Sequence, residues 1–318
     1  MNFTLKQLRY VEAAGRLGSI AKAAESLSIS QSSITAAIDS LEYGLNYDLF
    51  VRTPAKGIQA TPAGTEALGM IRTFMEQARQ FESEFQSIGG DASGLVRIAC
   101  YATAAPAFLP TILRDITQKF PGMSVQLLEG NMESIAGFLD EGKADLAFTY
   151  PNALNSGHDF MPLVRPPPFA LISTDDPMSR RKAVTIRELS EKPMVLLDLP
   201  LTRDYFFGMF EQAGCKPNIA HTTRSAEIAR ALVSGGFGYT ILNIRPLPFQ
   251  DPNARFRAIP IADDLEVHWF GIATVAQVRR PKIVQAFLDN CSDLKKSGAF
   301  ESLSISGAQE AIHQKIDE

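Results

Sequence analysis

The stretch from Leu17 to Glu42, LGSIAKAAESLSISQSSITAAIDSLE, decides how the rest of this chain is read. It holds two short apolar-periodic segments separated by a few polar, turn-friendly residues. Ile20, Ala23, Ala24 and Leu27 recur at helical spacing in the first, and Ile34, Ile38 and Leu41 in the second. Ser19 and Ser30 are placed to cap the two helices, because a serine oxygen accepts a bond from an orphan backbone N–H. Ala23 and Ala24 are small enough to let the helices cross closely. This is the layout of a helix-turn-helix unit, whose second helix can enter the DNA major groove. Gln31, Ser32, Ser33 and Thr35 open that helix with uncharged hydrogen-bonding side chains, which suit base edges better than phosphates.

The exact residues carry more. The run AAESLSISQSSIT from Ala23, the later Ile38, Leu41 and Glu42, then Leu49, Phe50, Val51 and Arg52, then Thr61-Pro62-Ala63-Gly64, resembles the N-terminal domain of LysR-type transcriptional regulators over roughly the first 65 residues. Two positions depart from the family pattern. Asn46 stands where glycine is usual, and asparagine is the next most tolerant of positive φ. Ala36 stands where many relatives carry a basic side chain that touches DNA. Arg52 and Lys56 fall in a strand-rich wing, Tyr47 to Ala60, that in winged relatives runs beside the DNA backbone, so both are assigned phosphate contacts.

The totals set bounds. With 318 residues there is room for two or three domains with proper cores. A net charge of −4 argues against an extended nucleic-acid coat, and residues 1–58 carry six basic against five acidic side chains. So weak a footprint would need two copies acting together on DNA. Cys100, Cys215 and Cys291 lie far apart without C-x-x-C spacing, so no zinc site follows. The odd count and the absence of a secretion signal point to reduced thiols in the cytoplasm. No stretch is apolar enough for a membrane span, so no membrane partner is expected.

Beyond the head, Thr61-Pro62 reads as a helix start. Ala67, Ile71, Phe74, Ala78, Phe81, Phe85 and Ile88 then alternate at spacings of four and three, the period of a coiled-coil seam. The resemblance implies that this linker pairs with its counterpart in a second copy through Ile71, Phe74, Ala78, Phe81 and Phe85. It implies a homodimer, with a homotetramer left open. Gly89, Gly90, Ser93 and Gly94 form a hinge.

From Leu95 the texture changes to alternating strands and helices, the rhythm of a parallel or mixed sheet covered on both faces. The phrases FLPTILRDITQKFPGMSVQLLEGN, EGKADLAF and EIARALVSGGFGYTIL resemble the effector domain of the same regulators, which is built like periplasmic solute-binding proteins. The expected class is therefore α+β and multidomain: a winged helix-turn-helix over 1–60, a long linker helix over 61–90 and a two-lobed α/β effector domain over 91–297. Lobe one is expected at 94–164 plus 269–292 and lobe two at 165–268. Gly235, Gly236 and Gly238 are expected to end a helix through left-handed backbone, and 298–318 reads as a polar tail.

Ligands of open α/β sheets sit outside the carboxyl ends of strands, where helix N-termini converge. That places Tyr101, Thr103 and Ala104 at one such end, Thr202 and Arg203 at a second, and Arg224 and Ser225 at a third. The resemblance adds Thr149 to the cleft and makes these loops effector contacts. Asn243 stands where the family commonly has proline. Arg203 and Arg224 together would favour an anion, most simply a carboxylate, and Tyr101, Phe169 and Tyr205 could offer an apolar wall.

The four histidines are scattered without metal spacing, and G-x-S-x-G, Walker A and H-E-x-x-H are all missing. No catalysis and no cofactor are expected. The resemblance implies a regulator whose partners are double-stranded promoter DNA and a small-molecule effector, with RNA polymerase a candidate third. The alternative on the same scaffold is a redox sensor using Cys100 or Cys215. A solute-binding or enzymatic protein with an appended helical domain is the rival from another class.

Overall fold

A computed structural model describes residues 3–53, 57–86, 93–245, 255–276 and 280–305. Lys56, Ile88, Gly89, Gly90 and residues 306–318, all named above, lie outside these. The chain divides into two compact units, residues 1–88 and 89–318.

In the first unit, α1 (Leu5–Leu17) starts at a capping box in which Thr4 and Gln7 satisfy each other's backbone N–H groups. Ser19 caps α2 (Ile20–Ser26) and Ser30 caps α3 (Gln31–Leu45), as their spacing predicts. Asn46 ends α3 at φ 60°, in the left-handed region expected of it. Strands β1 (Phe50–Thr53) and β2 (Gly57–Ala60) pair antiparallel as the wing. Glu42 ties the wing to α3, its carboxylate accepting the N–H groups of Leu49 and Phe50 at 2.7 and 3.0 Å.

Helix α4 (Pro62–Gln86) begins where Thr61 Oγ1 accepts the N–H of Gly64 at 2.8 Å. Gly64 is required there, since a Cβ would stand 1.9 Å from the Leu49 carbonyl oxygen. The core of this unit gathers Val11, Ala14, Ala23, Ile34, Ile38, Leu49 and, from the first turns of α4, Ala67, Leu68 and Ile71. Ile71 is thereby corrected: its side chain is spent on the unit's own core rather than on a seam between copies, and Ala67 turns the same way. The stripe left outside is Phe74, Phe81 and Phe85, with Ala78 half-buried between them.

The second unit opens with β3 (Gly94–Tyr101), α5 (Ala105–Lys119), β4 (Met123–Gly130), α6 (Met132–Asp140), β5 (Leu146–Thr149) and β6 (His158–Val164). It continues through β7 (Phe169–Ser173), α7 (Ile186–Ser190), β8 (Pro193–Leu197), α8 (Thr202–Gln212), β9 (Asn218–Thr223) and α9 (Ala226–Ser234). β10 (Thr240–Leu242), β11 (Phe256–Pro260), β12 (Phe270–Val275) and α10 (Lys282–Lys296) complete it. A five-stranded sheet runs β4-β3-β5-β12-β6, with β3 parallel to β4 and β5, and β12 antiparallel to both neighbours. A second lobe holds β10-β7-β11 and the parallel pair β8-β9, so the chain crosses between lobes after β6 and returns with β12.

The first lobe's core is aromatic: Phe108, Phe148, Phe270 and Phe287 are fully buried and pack ring against ring. Arg97 on β3 is held by Asp145, whose carboxylate also accepts the Arg97 N–H at 2.7 Å. Two expectations need correction. Gly235 ends α9 at φ −78°, in ordinary right-handed backbone, and the left-handed residues are Gly236 and Gly238. The polar reading of the segment after Ser297 also fails as far as residue 305. Phe300, Leu303 and Ile305 are buried in the main core, where three apolar side chains leave water together.

Candidate functional site

The head presents the first turn of α3. Ser30 holds that turn, its hydroxyl 2.8 Å from Ser32 Oγ and 2.9 Å from Ser33 Oγ. Ser33 and Thr35 are half-buried, so Gln31 and Ser32 stand furthest into solvent. Gln31 has no side-chain hydrogen bond among the described residues and is the most available probe for a base edge. Arg52 is exposed on the wing but paired with Asp39 of α3. An exposed pair of this kind is worth about 0–1 kcal/mol, so a phosphate could take over the guanidinium at little loss.

The two lobes meet in two places with different character. The first is nearly filled by the protein itself. Tyr101, from the end of β3, is buried and its hydroxyl lies 2.9 Å from Thr202 Oγ1 at the start of α8, a direct bond between lobes. The Tyr101 ring stands edge-on to Tyr150, which in turn packs on Phe270. Tyr205 donates to the Glu266 carbonyl at 2.8 Å and lies against His268. What remains is a gap of about 20 Å³, lined by Tyr101, Met132, Tyr150, Thr202, Asn243 and His268 among others. Burial raises the phenols of Tyr101 and Tyr150 above their ordinary range, and raises Tyr205 to about 12 with help from Glu266. All three therefore stay protonated near neutrality. The Asn243 side chain faces the Tyr150 hydroxyl.

The second place is open: a crevice of about 740 Å³. Lobe one supplies Tyr101, Thr103, Leu109, Leu113, Leu127 and Glu129, and lobe two supplies Leu199, Arg224, Ser225 and Glu227. Ser225 caps α9, whose N-terminus carries partial positive charge toward this space. Arg224 and Glu129 are both exposed, and neither has a hydrogen-bond or ion-pair partner among the described residues. Glu227 is occupied by Arg230.

The residues expected to form an effector site thus separate. Tyr101, Thr103, Arg224 and Ser225 line the open crevice, while Thr202 and Asn243 line the closed gap. Ala104 is buried beneath the surface. Thr149 is fully buried, and its hydroxyl has no hydrogen-bond partner among the described residues. Arg203 does not converge with Arg224. It lies outside both linings and is held by Asp198 at 3.2 Å and Asp204 at 3.3 Å. Phe169 is core. Glu129 and the leucine wall went unnoticed in the sequence, although Glu129 sits two residues before Asn131, the cap of α6 and a signal of a strand-to-helix junction.

The cysteines bear on the redox alternative. Cys100 is fully buried, and burial with the charge of Glu129 raises its thiol to about 11. Cys291 is buried too, and its thiol is raised further. A protonated, enclosed thiol is a poor nucleophile, so of the two candidate thiols the half-buried Cys215 is the more accessible.

A helix-turn-helix head joined in one chain to a two-lobed α/β domain with an inter-lobe crevice defines a DNA-binding regulator with an effector domain. Comparison with known proteins agrees. The description "LysR substrate binding domain" matches residues 89–295, and "Bacterial regulatory helix-turn-helix protein, lysR family" matches residues 5–65. The chain belongs to the LysR family of DNA-binding transcriptional regulators. It is 27% identical over 242 residues to the regulator TtuA of Agrobacterium vitis, covering 75% of this chain and 79% of that protein. It is 28% identical over 245 residues to the hydrogen peroxide-inducible genes activator of Dickeya chrysanthemi, covering 77% and 80%. The crystal structure of HinK, a LysR family regulator from Pseudomonas aeruginosa, superposes with a TM-score of 0.59 at 30% identity, covering 92% of this chain and 98% of that one.

Proposed function

We propose that this regulator acts in the cytoplasm as a homo-oligomer, at least a dimer, and responds to a small organic acid bound in the open inter-lobe crevice. The observation that carries the effector reading is the unpaired Arg224 in a crevice of about 740 Å³ walled by both lobes. A ligand with different affinity for two lobe arrangements shifts their balance, and through it the spacing of two DNA-reading heads. The test is a thermal-shift screen of small organic acids against the full chain. An acid that binds the native state raises the melting temperature, and Arg224→Gln should abolish that rise while leaving DNA affinity unchanged. Failure of every acid to stabilise the chain would overturn the assignment.

On the DNA side, Gln31, Ser32, Ser33 and Thr35 are the proposed base readers, and Arg52 and Lys56 the proposed phosphate contacts. Because Gln31 is the least engaged of the readers, Gln31→Ala should weaken specific binding by about 1–3 kcal/mol and relax base preference at one position. A gel-shift titration against its own site and a scrambled one checks this, with the scrambled affinity expected to hold. The similarity to a hydrogen peroxide-inducible activator keeps a second reading, oxidation at Cys100 or Cys215 with the more accessible Cys215 favoured, and mass spectrometry after mild peroxide would show a modified thiol if it holds.

A further inference from the structure

The organic-acid reading accounts for Arg224 and leaves the opposite wall of the same crevice unexplained. That wall carries a carboxylate. Glu129 lies near the end of β4, at the margin of its sheet. Alternation along the strand puts it on the same face as Leu127, and both line the crevice together with Leu109 and Leu113 of α5. Glu129 has no cationic partner among the described residues, and across the crevice Arg224 has no anionic one. The two opposite charges come from opposite lobes and leave each other unpaired in a space large enough for a small molecule between them.

A simple carboxylate would satisfy Arg224 and the positive end of α9, yet bring a second negative charge toward Glu129. Like charges brought into one site repel, and a ligand that covered the exposed Glu129 carboxylate without offering it a cation would leave it desolvated and unpaired. A molecule bearing an anion at one end and a cation at the other satisfies both lobes at once. We propose that the effector is a zwitterion, an amino acid with an aliphatic side chain. Its carboxylate pairs with Arg224, its ammonium with Glu129, and its side chain lies on Leu109, Leu113 and Leu127. This rests on the crevice being the effector site, and adds that both lobes contribute an ionic contact. It also supplies a reason for the lobes to draw together on binding, since only the bound molecule links the two charges.

Titration calorimetry with the full chain tests this with three probes that share one body: leucine, 4-methylpentanoate (leucine without the amine) and 3-methylbutylamine (leucine without the carboxylate). Leucine should bind at least about tenfold more tightly than either, the scale of one lost charge-assisted contact. Glu129→Gln should erase the preference for leucine over 4-methylpentanoate, and Arg224→Gln the preference for leucine over the amine. If 4-methylpentanoate binds the unaltered protein as well as leucine does, the zwitterion is wrong and the organic-acid reading survives. If leucine binds but neither substitution changes its preference, the crevice itself is wrong and both readings fall. If none of the three binds, the amino-acid proposal is overturned, while the wider acid screen still decides the organic-acid reading.

Discussion

Phe81→Asp should convert the full chain to a monomer in sedimentation velocity and weaken binding to its own DNA site by about a hundredfold or more, the avidity lost when two linked heads become one. The expectation comes from what α4 leaves unpacked. Phe74, Phe81 and Phe85 are 48%, 69% and 65% exposed, and the rings of Phe81 and Phe85 stack at 6.1 Å on the same face. One exposed phenylalanine is ordinary. Three along one helix make an apolar stripe that needs a partner. Burying each such side chain contributes about 1.5–3 kcal/mol, and an unpaired carboxylate set among them opposes association. Ile71→Asp is the contrasting substitution. Ile71 belongs to the head's own core, so that change should unfold the head instead of dissociating copies. If Phe81→Asp sedimented as the unaltered chain does, the seam would have to lie elsewhere.

The difference between Ile71 and Phe81 shows where sequence reading stops. Both fall on one stripe of fours and threes, and periodicity says only that the stripe is apolar. It cannot say that the first turns of α4 face the helix-turn-helix core while the later turns face outward. Elements with strong local determinants were legible. The serine caps of α2 and α3, the left-handed Asn46, the Thr61 cap and the continuous apolar strands β3, β5, β7 and β8 each carry their cause within a few residues. Strands β6, β9 and β11 carry weaker local signals and lie at sheet margins. Margin strands need less apolar sequence: β9 reads NIAHTT and is almost wholly exposed, and β6 tolerates Pro162.

The candidate site was legible in part for the same reason. Strand ends and helix caps located Tyr101, Thr103, Arg224 and Ser225, but pairing across space is not written locally. Arg203 shares with Arg224 a place near a strand end, but the fold leaves it outside the crevice, held by Asp198 and Asp204. Glu129 carries no local signal of its own, and only the fold sets it in one crevice with Arg224.

Phe148→Ala should destabilise the effector unit by about 3–5 kcal/mol, the range for emptying a buried phenylalanine site. Trp269 is the chain's single tryptophan and lies in this unit, so its fluorescence in urea provides the measurement. Phe148 sits on β5, between β3 and β12 in the five-stranded sheet, and is fully buried. Its ring lies 4.5 Å from Phe108 of α5 and 6.3 Å from Phe287 of α10, so it joins the central strand to two helices. Phe148→Leu keeps most of the volume and should cost less than about 1.5 kcal/mol. The gap between the two variants isolates the cavity from the change of side chain. The effect should also reach ligand binding. Phe270 packs on Phe108 and on Tyr150, and Tyr150 meets Tyr101, a wall of the open crevice. An alanine that lowered stability while leaving ligand affinity intact would show that this chain of rings supports the fold alone. A loss below about 1 kcal/mol would mean that the neighbouring rings refill the space, and that the central strand is held mainly by its hydrogen-bonded neighbours.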